Sequence, residues 1–213
     1  LGLVGSEMCI RDRLNGLLKM FTIPIESFRV PDWDKWKPLI LEQCDENSPQ
    51  AHITGGRVNT HEMDTDYHDL VTGKCMPKYY WTVLDALKPI MDEMQQDYEL
   101  DIYNLVAMWH QTTANGQFHG VHNHGPVGIT AVLYVDFDPK IHKATTFFAP
   151  FHNYINGEVV DYMPDVEEGD CVFFPSYLPH MQEPNFTGVS RTIVSFNIMG
   201  KEMVPHKVHP RTI

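Results

Sequence analysis

The sequence predicts an α+β protein that is mainly β, with helices in the first half of the chain and a β core in the second. Two observations carry this prediction. Before residue 101, two segments repeat apolar residues at helical spacing, whereas the later part holds short runs rich in Val, Ile, Thr, Phe and Tyr. Gly, Pro and Asn separate these runs at fairly regular intervals, which is typical of an all-β sandwich or barrel.

The first half contains the predicted helices. The segment MFTIPIESFRV, from Met20, alternates loosely and predicts a strand or an extended lead-in segment. DWDKWKPLILEQC predicts a helix, with Asp32 or Asp34 available as its N-cap. YYWTVLDALKPIMDEMQQDYEL predicts a second helix, in which Pro89 marks a kink or a first-turn position. Residues 46–77, between the two helices, are rich in turn formers and predict a long loop.

The second half contains the predicted strands, which share short length and β-branched or aromatic composition. They are DIYNLVAMWHQTT, GITAVLYVDFD, ATTFFAPF, GEVVDYMPDV, GDCVFFPS and SRTIVSFNIM. The alternating phenylalanines within them are expected in the core rather than at a cofactor.

A length of 213 residues suits one elaborated domain. We expect residues 20–100 to form N-terminal helices and loops that pack on the core. Residues 101–200 are expected to form the β core, and residues 201–213 a C-terminal tail.

Residues 1–13, LGLVGSEMCIRDR, are predicted to be an assembly artefact. Their central part matches the in-frame translation of a common sequencing-library adapter. A weak signal peptide is the alternative, but the apolar stretch is too short and charged residues stand where cleavage would occur. We therefore expect the natural chain to begin at Met20.

Composition excludes several classes of function. The formal net charge is −12, from 28 acidic and 16 basic residues, which disfavours nucleic acid as a partner. No apolar run reaches the roughly 18–20 residues of a membrane span.

Apart from Cys9, the cysteines Cys44, Cys75 and Cys171 are widely spaced and form no CxxC pair. A reducing, cytoplasmic setting is therefore expected. With nucleic acid disfavoured, the expected substrate is a small molecule or a peptide.

The most informative motif is GQFHGVHNHGPVG, which holds His119, His122 and His124. Alternate side chains of a strand share a face, so His122 and His124 can both point inward. His180 lies far downstream in EGDCVFFPSYLPH, after another predicted strand. A pair of histidines from one strand and one from another can occupy one face of an octahedral metal ion.

Residues 103–200 resemble the core of the iron(II)- and 2-oxoglutarate-dependent oxygenases, particularly the prolyl-hydroxylase-like branch with its uncharacterised bacterial and phage relatives. In that family a glycine stands six residues before the first metal histidine, as Gly116 stands before His122. A second ligand follows two residues later, at the position of His124, and a strand similar to TAVLYVDFD comes next.

The resemblance continues at the distal end of the pattern. The last metal histidine of the family lies in a segment similar to EGDCVFFPSYLPH, which places His180. An arginine follows eleven residues later, as Arg191 does, and opens a strand similar to RTIVSFNI. A 2-oxoglutarate dianion buries its distal carboxylate, for which a bidentate guanidinium is a suitable partner.

The resemblance implies a double-stranded β-helix, of the jelly-roll or cupin-like type, with N-terminal supporting helices. It implies a dioxygenase that uses Fe(II) and 2-oxoglutarate and hydroxylates an unknown substrate. The residues implied are, for the metal, His122, His124 and His180, and for 2-oxoglutarate, Arg191, Thr130, Tyr134 and Thr192.

The sequence departs from the family pattern at one ligand, because His124 stands where Asp or Glu is usual. Three neutral imidazoles would leave the full +2 charge on iron, and the 2-oxoglutarate dianion can offset this charge. Three-histidine iron sites occur in cupin dioxygenases. Alternatively His124 is not a ligand and water or halide takes its place. A register that uses His119 is a third possibility. His119 and His122 are three residues apart, so we expect them on opposite sides of the strand.

Neighbouring residues leave further alternatives open. Either Trp109 or His110 is expected to face the pocket. The segment HEMDTDYHDL (residues 61–70) mixes histidines and carboxylates, but its lack of strand or helical spacing predicts a solvated loop or a substrate lid rather than a metal site.

Two other classes of function compete with the oxygenase. GQFHGVHNH also fits the opening of a cupin motif, which predicts a metal enzyme without 2-oxoglutarate. However, the glutamate expected soon afterwards is absent, and Tyr177 replaces the glycine of the second cupin motif. A non-catalytic β-sandwich binding module is the third class, although closed structural zinc sites usually have four protein ligands.

Overall fold

A computed structural model describes residues 23–47, 60–61, 63–67, 70, 76–97, 103–153 and 155–200. The predicted artefact at residues 1–13 and the predicted tail at 201–213 lie outside these residues. Among the residues described, no helix has the length and apolarity needed to span a membrane.

The main elements follow the order that the sequence predicts. The long helices are α1 (Trp33–Asn47) and α2 (Tyr80–Asp97). The strands are β1 (Glu26–Arg29), β2 (Thr60–His61), β3 (Asp64–Thr65), β4 (Tyr103–Thr113), β5 (Phe118–His122), β6 (Ile129–Asp136), β7 (Thr146–His152), β8 (Val159–Tyr162), β9 (Asp170–Pro175), β10 (His180–Gln182) and β11 (Arg191–Gly200).

The strands form two antiparallel sheets. One sheet has six strands in the order β1-β9-β6-β11-β4-β3, and the other has five in the order β2-β5-β10-β7-β8. Apart from β3–β4 and β7–β8, neighbouring strands are not consecutive in the sequence, so connections cross between the two layers, as in a jelly roll. The predicted fold class is confirmed.

Alternation along β11 divides the interior into two cores. Val194 and Phe196 lie on the face of the six-stranded sheet that packs against the helices α1 and α2. Ile193 faces the opposite way, into the space between the two sheets, together with Tyr134 and Phe174. Because side chains of a strand alternate, Arg191 and Asn197 share the inner face with Ile193.

The prediction that residues 46–77 form a long loop is wrong in one respect, because this segment contains short paired strands. Thr65 of β3 pairs with Gln111 of β4, and β2 pairs with β5. Strands of two residues are too short to show an alternating pattern, so the sequence carries no signal for them.

The start of α1 packs closely on the turn before β9. Gly169 has a φ of 87°, and a Cβ at this position would lie 2.6 Å from the Cγ atom of Trp33. Only glycine tolerates both the positive φ and this close approach. The first helix therefore lies directly against the six-stranded sheet.

A buried carboxylate fixes the segment after β3 to the helical side of the sheet. Asp66 accepts hydrogen bonds from the backbone N–H of His110 at 2.9 Å and from the Tyr79 hydroxyl at 2.6 Å. Burial alone would raise the pKa of Asp66, but the hydrogen bonds from His110 and Tyr79 outweigh it and hold the pKa below its ordinary value. The ionised carboxylate thus stabilises the fold.

Replacing Asp66 with alanine is expected to lower the free energy of unfolding by about 3 kcal/mol, because it leaves buried donors without a partner. Since the pKa of Asp66 is depressed in the folded state, this stabilisation is present at neutral pH and is lost as the pH falls through the folded value. Urea denaturation at neutral and acidic pH measures both effects. Asp92→Ala, which removes an exposed pair with Lys88, is the control and should cost less than about 1 kcal/mol. Equal losses in the two variants would contradict the prediction.

Candidate metal centre

Three histidines converge between the two sheets. One ring nitrogen from each of His122, His124 and His180 lies within 4.8 Å of the others. The ring centroids of His122 and His180 are 4.4 Å apart, and those of His124 and His180 are 5.1 Å apart. His122 ends β5 and pairs in register with His180, the first residue of β10. Pairing of β5 with β10 thus places two of the imidazoles. His124 lies two residues beyond the end of β5, where its backbone N–H donates to the carbonyl oxygen of Ser176 at 2.8 Å, and it completes a cluster of the size that a metal ion needs.

Hydrogen bonds set the tautomer of each ring. Nδ1 of His122 lies 2.7 Å from the carbonyl oxygen of Gly120, and Nδ1 of His180 lies 2.9 Å from that of Leu178. Nδ1 of His124 lies 2.9 Å from Oδ1 of Asn197. Because each of these oxygens accepts hydrogen bonds, each Nδ1 donates its proton, and each Nε2 keeps a free lone pair.

Burial keeps the imidazoles neutral. It lowers the pKa of His180 to about 3 and that of His124 to about 4, and it lowers the pKa of His122 as well. Within the described residues, the Nε2 atom of His124 is buried and makes no hydrogen bond. Neutral imidazoles with unoccupied lone pairs are the form that binds metals, so the donor set fits Fe(II).

Asn197 orients His124, and no pattern in the sequence predicts this role. Its Oδ1 atom also accepts a hydrogen bond from the hydroxyl of Thr130, at 3.0 Å. Asn197 lies 73 residues from His124 in the sequence, and only the position of β11 inside the jelly roll brings them together. The free Nε2 of His124 depends on this contact.

Replacing Asn197 with leucine is expected to weaken metal affinity about 10- to 100-fold, because the ring of His124 loses the acceptor that fixes its orientation. Competition with a chromophoric chelator for Mn(II) measures the change. Asn156→Leu, on the exposed hairpin between β7 and β8, is the matched control. Unchanged affinity in Asn197→Leu would remove His124 from the set of ligands.

His119 stacks on His122, with ring centroids 3.8 Å apart and planes inclined by 18°. The prediction that these two residues face opposite sides is wrong. The register shifts between the pairs His180–His122 and Gln182–His119, so β5 contains an extra residue there. Such a bulge reverses the alternation locally. His119 borders the site, where its Nδ1 atom lies 3.0 Å from Nε2 of Gln111.

Trp109 is the residue of β4 that faces the site. Its ring stacks on His124 at 5.4 Å, and Tyr67 contacts its edge at 5.2 Å. His110 faces the helices and contacts Tyr79. The segment HEMDTDYHDL therefore contributes Tyr67 at the mouth, as a lid would. The side chains of its two histidines lie outside the described residues.

Arg191 lies in the same interior, at the start of β11. It is only 2% exposed, and none of its guanidinium nitrogens makes a hydrogen bond within the part of the chain that the structure describes. Burial lowers its pKa, yet a guanidinium stays charged at neutral pH. It borders a cavity of about 320 Å³. The rings of Tyr134 and Phe137 lie against this guanidinium, but no carboxylate among the described residues balances its charge, so the site fits the carboxylate of a ligand.

The other three residues predicted to bind 2-oxoglutarate lie in three different environments. The ring of Tyr134 lies 5.4 Å from the guanidinium carbon of Arg191. The hydroxyl of Thr130 bonds to Ser176 at the metal end of the site. Thr192 lies on the opposite face of β11, where its hydroxyl contacts that of Thr112. The structure thus brings Tyr134 to Arg191 and Thr130 to the histidines, but it does not bring Thr192 to either.

One of the predicted classes of protein matches a known sequence family. Residues 107–197 match the family described as "Putative 2OG-Fe(II) oxygenase". The predicted resemblance is confirmed. This stretch contains all three histidines and Arg191, and the family is one of enzymes that use Fe(II) and 2-oxoglutarate. The predicted enzyme class and both predicted cofactors are confirmed at the level of the family.

Solved structures share the fold at low sequence identity. A prolyl-4-hydroxylase from Pseudomonas putida has 16% identity and a TM-score of 0.57, with 84% of this chain and 94% of that chain covered. The viral collagen prolyl hydroxylase of Paramecium bursaria Chlorella virus-1, solved with 2OG, has 13% identity and a TM-score of 0.54, with coverages of 82% and 94%. The α-ketoglutarate-dependent epimerase SnoN from nogalamycin biosynthesis has 15% identity and a TM-score of 0.53, with coverages of 82% and 77%. No curated protein matches the chain in sequence.

Proposed function

We propose that this protein is an Fe(II)- and 2-oxoglutarate-dependent dioxygenase that hydroxylates a C–H bond of a small molecule or peptide. The observation that carries the proposal is the buried guanidinium of Arg191, which contacts aromatic rings but makes no hydrogen bond or ion pair within the described residues, in the same interior as three neutral imidazoles. A cupin enzyme without 2-oxoglutarate, or a non-catalytic binding module, would leave this charge without a role.

The residues divide the work between the two ends of the interior. His122, His124 and His180 would hold the metal through Nε2, while Arg191 would receive the distal carboxylate of 2-oxoglutarate. Three neutral imidazoles add no negative charge, so the dianionic cosubstrate supplies the charge that balances the metal. His124 is thus compatible with the family chemistry. Its hydrogen bond to Asn197 keeps the proton on Nδ1, so that Nε2 is free to bind the metal.

Bound Fe(II) and 2-oxoglutarate would together supply the reduction of dioxygen. In the overall balance, one oxygen atom enters succinate as 2-oxoglutarate loses CO₂, and the other enters the C–H bond of the substrate as a hydroxyl group. Apolar rings would shield one side of the site from water: the ring of Phe174 lies 4.7 Å from that of His180, and the ring of Phe147 lies 5.9 Å from it. Such walls limit side reactions with water.

We also propose that residues 101–200 form the catalytic unit and that residues 20–100 support it. The support comes from the packing of α1 and α2 on the outer face of the six-stranded sheet. That sheet includes β4, β6 and β11, which carry Trp109, Thr130 and Arg191 on their inner faces. The helices would thereby hold these strands in register.

The proposal is tested on the full chain loaded with Fe(II) without oxygen. On exposure to oxygen, we expect formation of succinate and CO₂ that requires both Fe(II) and 2-oxoglutarate, slowly in the absence of substrate and faster when a suitable amino acid or peptide is added. Calorimetry on protein loaded with Mn(II) should show binding of 2-oxoglutarate at one site. Absence of that binding would contradict the proposal. Analysis of the oxidised product by mass spectrometry distinguishes hydroxylation from an epimerisation such as that of SnoN.

A further inference from the structure

We propose that Gln182 is a second residue that positions 2-oxoglutarate, donating its side-chain amide to the distal carboxylate beside Arg191. This inference rests on the proposed function and adds a residue that the family pattern does not supply.

The first support is the placement of Gln182 between the two ends of the site. His180 and Gln182 are the buried first and third residues of β10, so both point into the jelly roll. Two residues along a strand span about 7 Å. On β10, His180 therefore faces the histidine cluster, and Gln182, two residues later, faces the part of the interior next to that cluster.

The second support is the reach of Gln182 across the interior. Its Nε2 atom donates to the hydroxyl of Thr113 at 2.7 Å. Thr113 lies on β4 of the opposite sheet and pairs directly with Arg191. The amide of Gln182 is thus held next to the strand position from which the guanidinium extends. Gln182 and Arg191 also border the same cavity of about 320 Å³.

The third support is an unsatisfied atom. Oε1 of Gln182 is buried and has no hydrogen-bond partner in the described part of the chain, and the same holds for the three guanidinium nitrogens of Arg191. Buried polar atoms are normally hydrogen-bonded, so an amide oxygen and a guanidinium that both lack hydrogen bonds at one cavity indicate a missing ligand. If the side-chain amide of Gln182 is rotated by half a turn, Oε1 accepts a hydrogen bond from the Thr113 hydroxyl. Nε2 then faces the cavity.

The charges around the cavity favour a carboxylate as that ligand. Arg191 brings an unpaired positive charge to it, whereas Lys143 at the rim is paired with Glu183. A carboxylate has two oxygens and can accept from the guanidinium and from the amide together. A 2-oxo acid without a distal carboxylate would gain nothing from either group. Gln182 should therefore contribute to selection of the diacid.

The test compares two cosubstrates on the full chain loaded with Mn(II) in the absence of oxygen, by calorimetry. In Gln182→Met, affinity for 2-oxoglutarate is expected to fall about tenfold or more, because a hydrogen bond to a charged group is lost. Affinity for 2-oxobutanoate, which has no distal carboxylate, should not change. Gln182→Glu keeps the size and the contact with Thr113 but brings an anion toward Arg191, so it should weaken 2-oxoglutarate further. Met181→Leu, on the other face of β10, is the control.

The outcomes separate this inference from the proposed function. A selective loss for 2-oxoglutarate in both Gln182 variants supports the inference. An equal loss for both acids indicates a merely structural role and overturns it, as does unchanged affinity. If the unaltered protein binds 2-oxoglutarate and Arg191→Met abolishes this binding while Gln182→Met does not, only the inference fails. If the unaltered protein binds neither acid, the proposed function fails with it.

Discussion

Replacing His180 with alanine is expected to reduce metal affinity more than about a hundredfold and to abolish succinate formation. His180 supplies one of three converging imidazoles, and no other cluster of three metal-binding side chains occurs among the described residues. Structural zinc sites gain about 10–16 kcal/mol from four ligands, so one ligand accounts for about 3 kcal/mol. At 1.4 kcal/mol for each factor of ten, this predicts the stated loss. Competition with a chelator for Mn(II) measures it directly.

His152→Ala provides the matched control, because His152 is an exposed histidine on β7. It should bind metal with the affinity of the unaltered protein. Circular dichroism and urea denaturation show whether His180→Ala keeps its fold. A folded His180→Ala protein with undiminished metal affinity would show that the three imidazoles do not share one ion.

Replacing Arg191 with methionine is expected to have two opposite effects. Without ligand, the free energy of unfolding should rise by about 1–4 kcal/mol, because a buried charge is exchanged for an apolar chain. Affinity for 2-oxoglutarate should fall at least about a hundredfold, since two charge-assisted hydrogen bonds of about 1.5–3 kcal/mol each are lost. Denaturation with and without 2-oxoglutarate measures both effects. Added 2-oxoglutarate should stabilise the metal-loaded unaltered protein but not the variant.

Arg29→Met makes the same change at a surface position, where Arg29 pairs with Asp170. It should alter the stability by less than about 1 kcal/mol and leave 2-oxoglutarate binding intact. A loss of stability in Arg191→Met would mean that the guanidinium already has a stabilising partner in the ligand-free protein. That result would remove the main support for a carboxylate at this position.

The fold and the centre of the site could be predicted because both depend on short patterns. Alternation in the strands and turn residues between them predicts the β core, and the HxH pair predicts that His122 and His124 converge. The place of His180 after a downstream strand predicts it as the third histidine, and the family resemblance adds the offset that singles out Arg191. No knowledge of pairing between strands is needed for any of these residues.

The parts that could not be predicted depend on register and on the choice of face. Alternation shows that Trp109 and His110 face opposite ways, but the direction of the interior is set by the packing of the helices. The bulge in β5 turns His119 toward His122. Gly120, inside this strand, is the signal that could have indicated it, because a glycine within a strand often marks a bulge. Asn197 meets His124 only because β11 lies inside the six-stranded sheet.

The ligand-free guanidinium of Arg191 has a consequence for evolution. Folding alone would favour an apolar side chain at this position, so on the proposed role of Arg191 we expect the arginine to persist only while a diacid is used. In a lineage that had lost the activity, this position should be among the first to drift, well before the glycines and aromatic residues that build the barrel. Sequencing of relatives can therefore separate active from inactive lineages by this one residue.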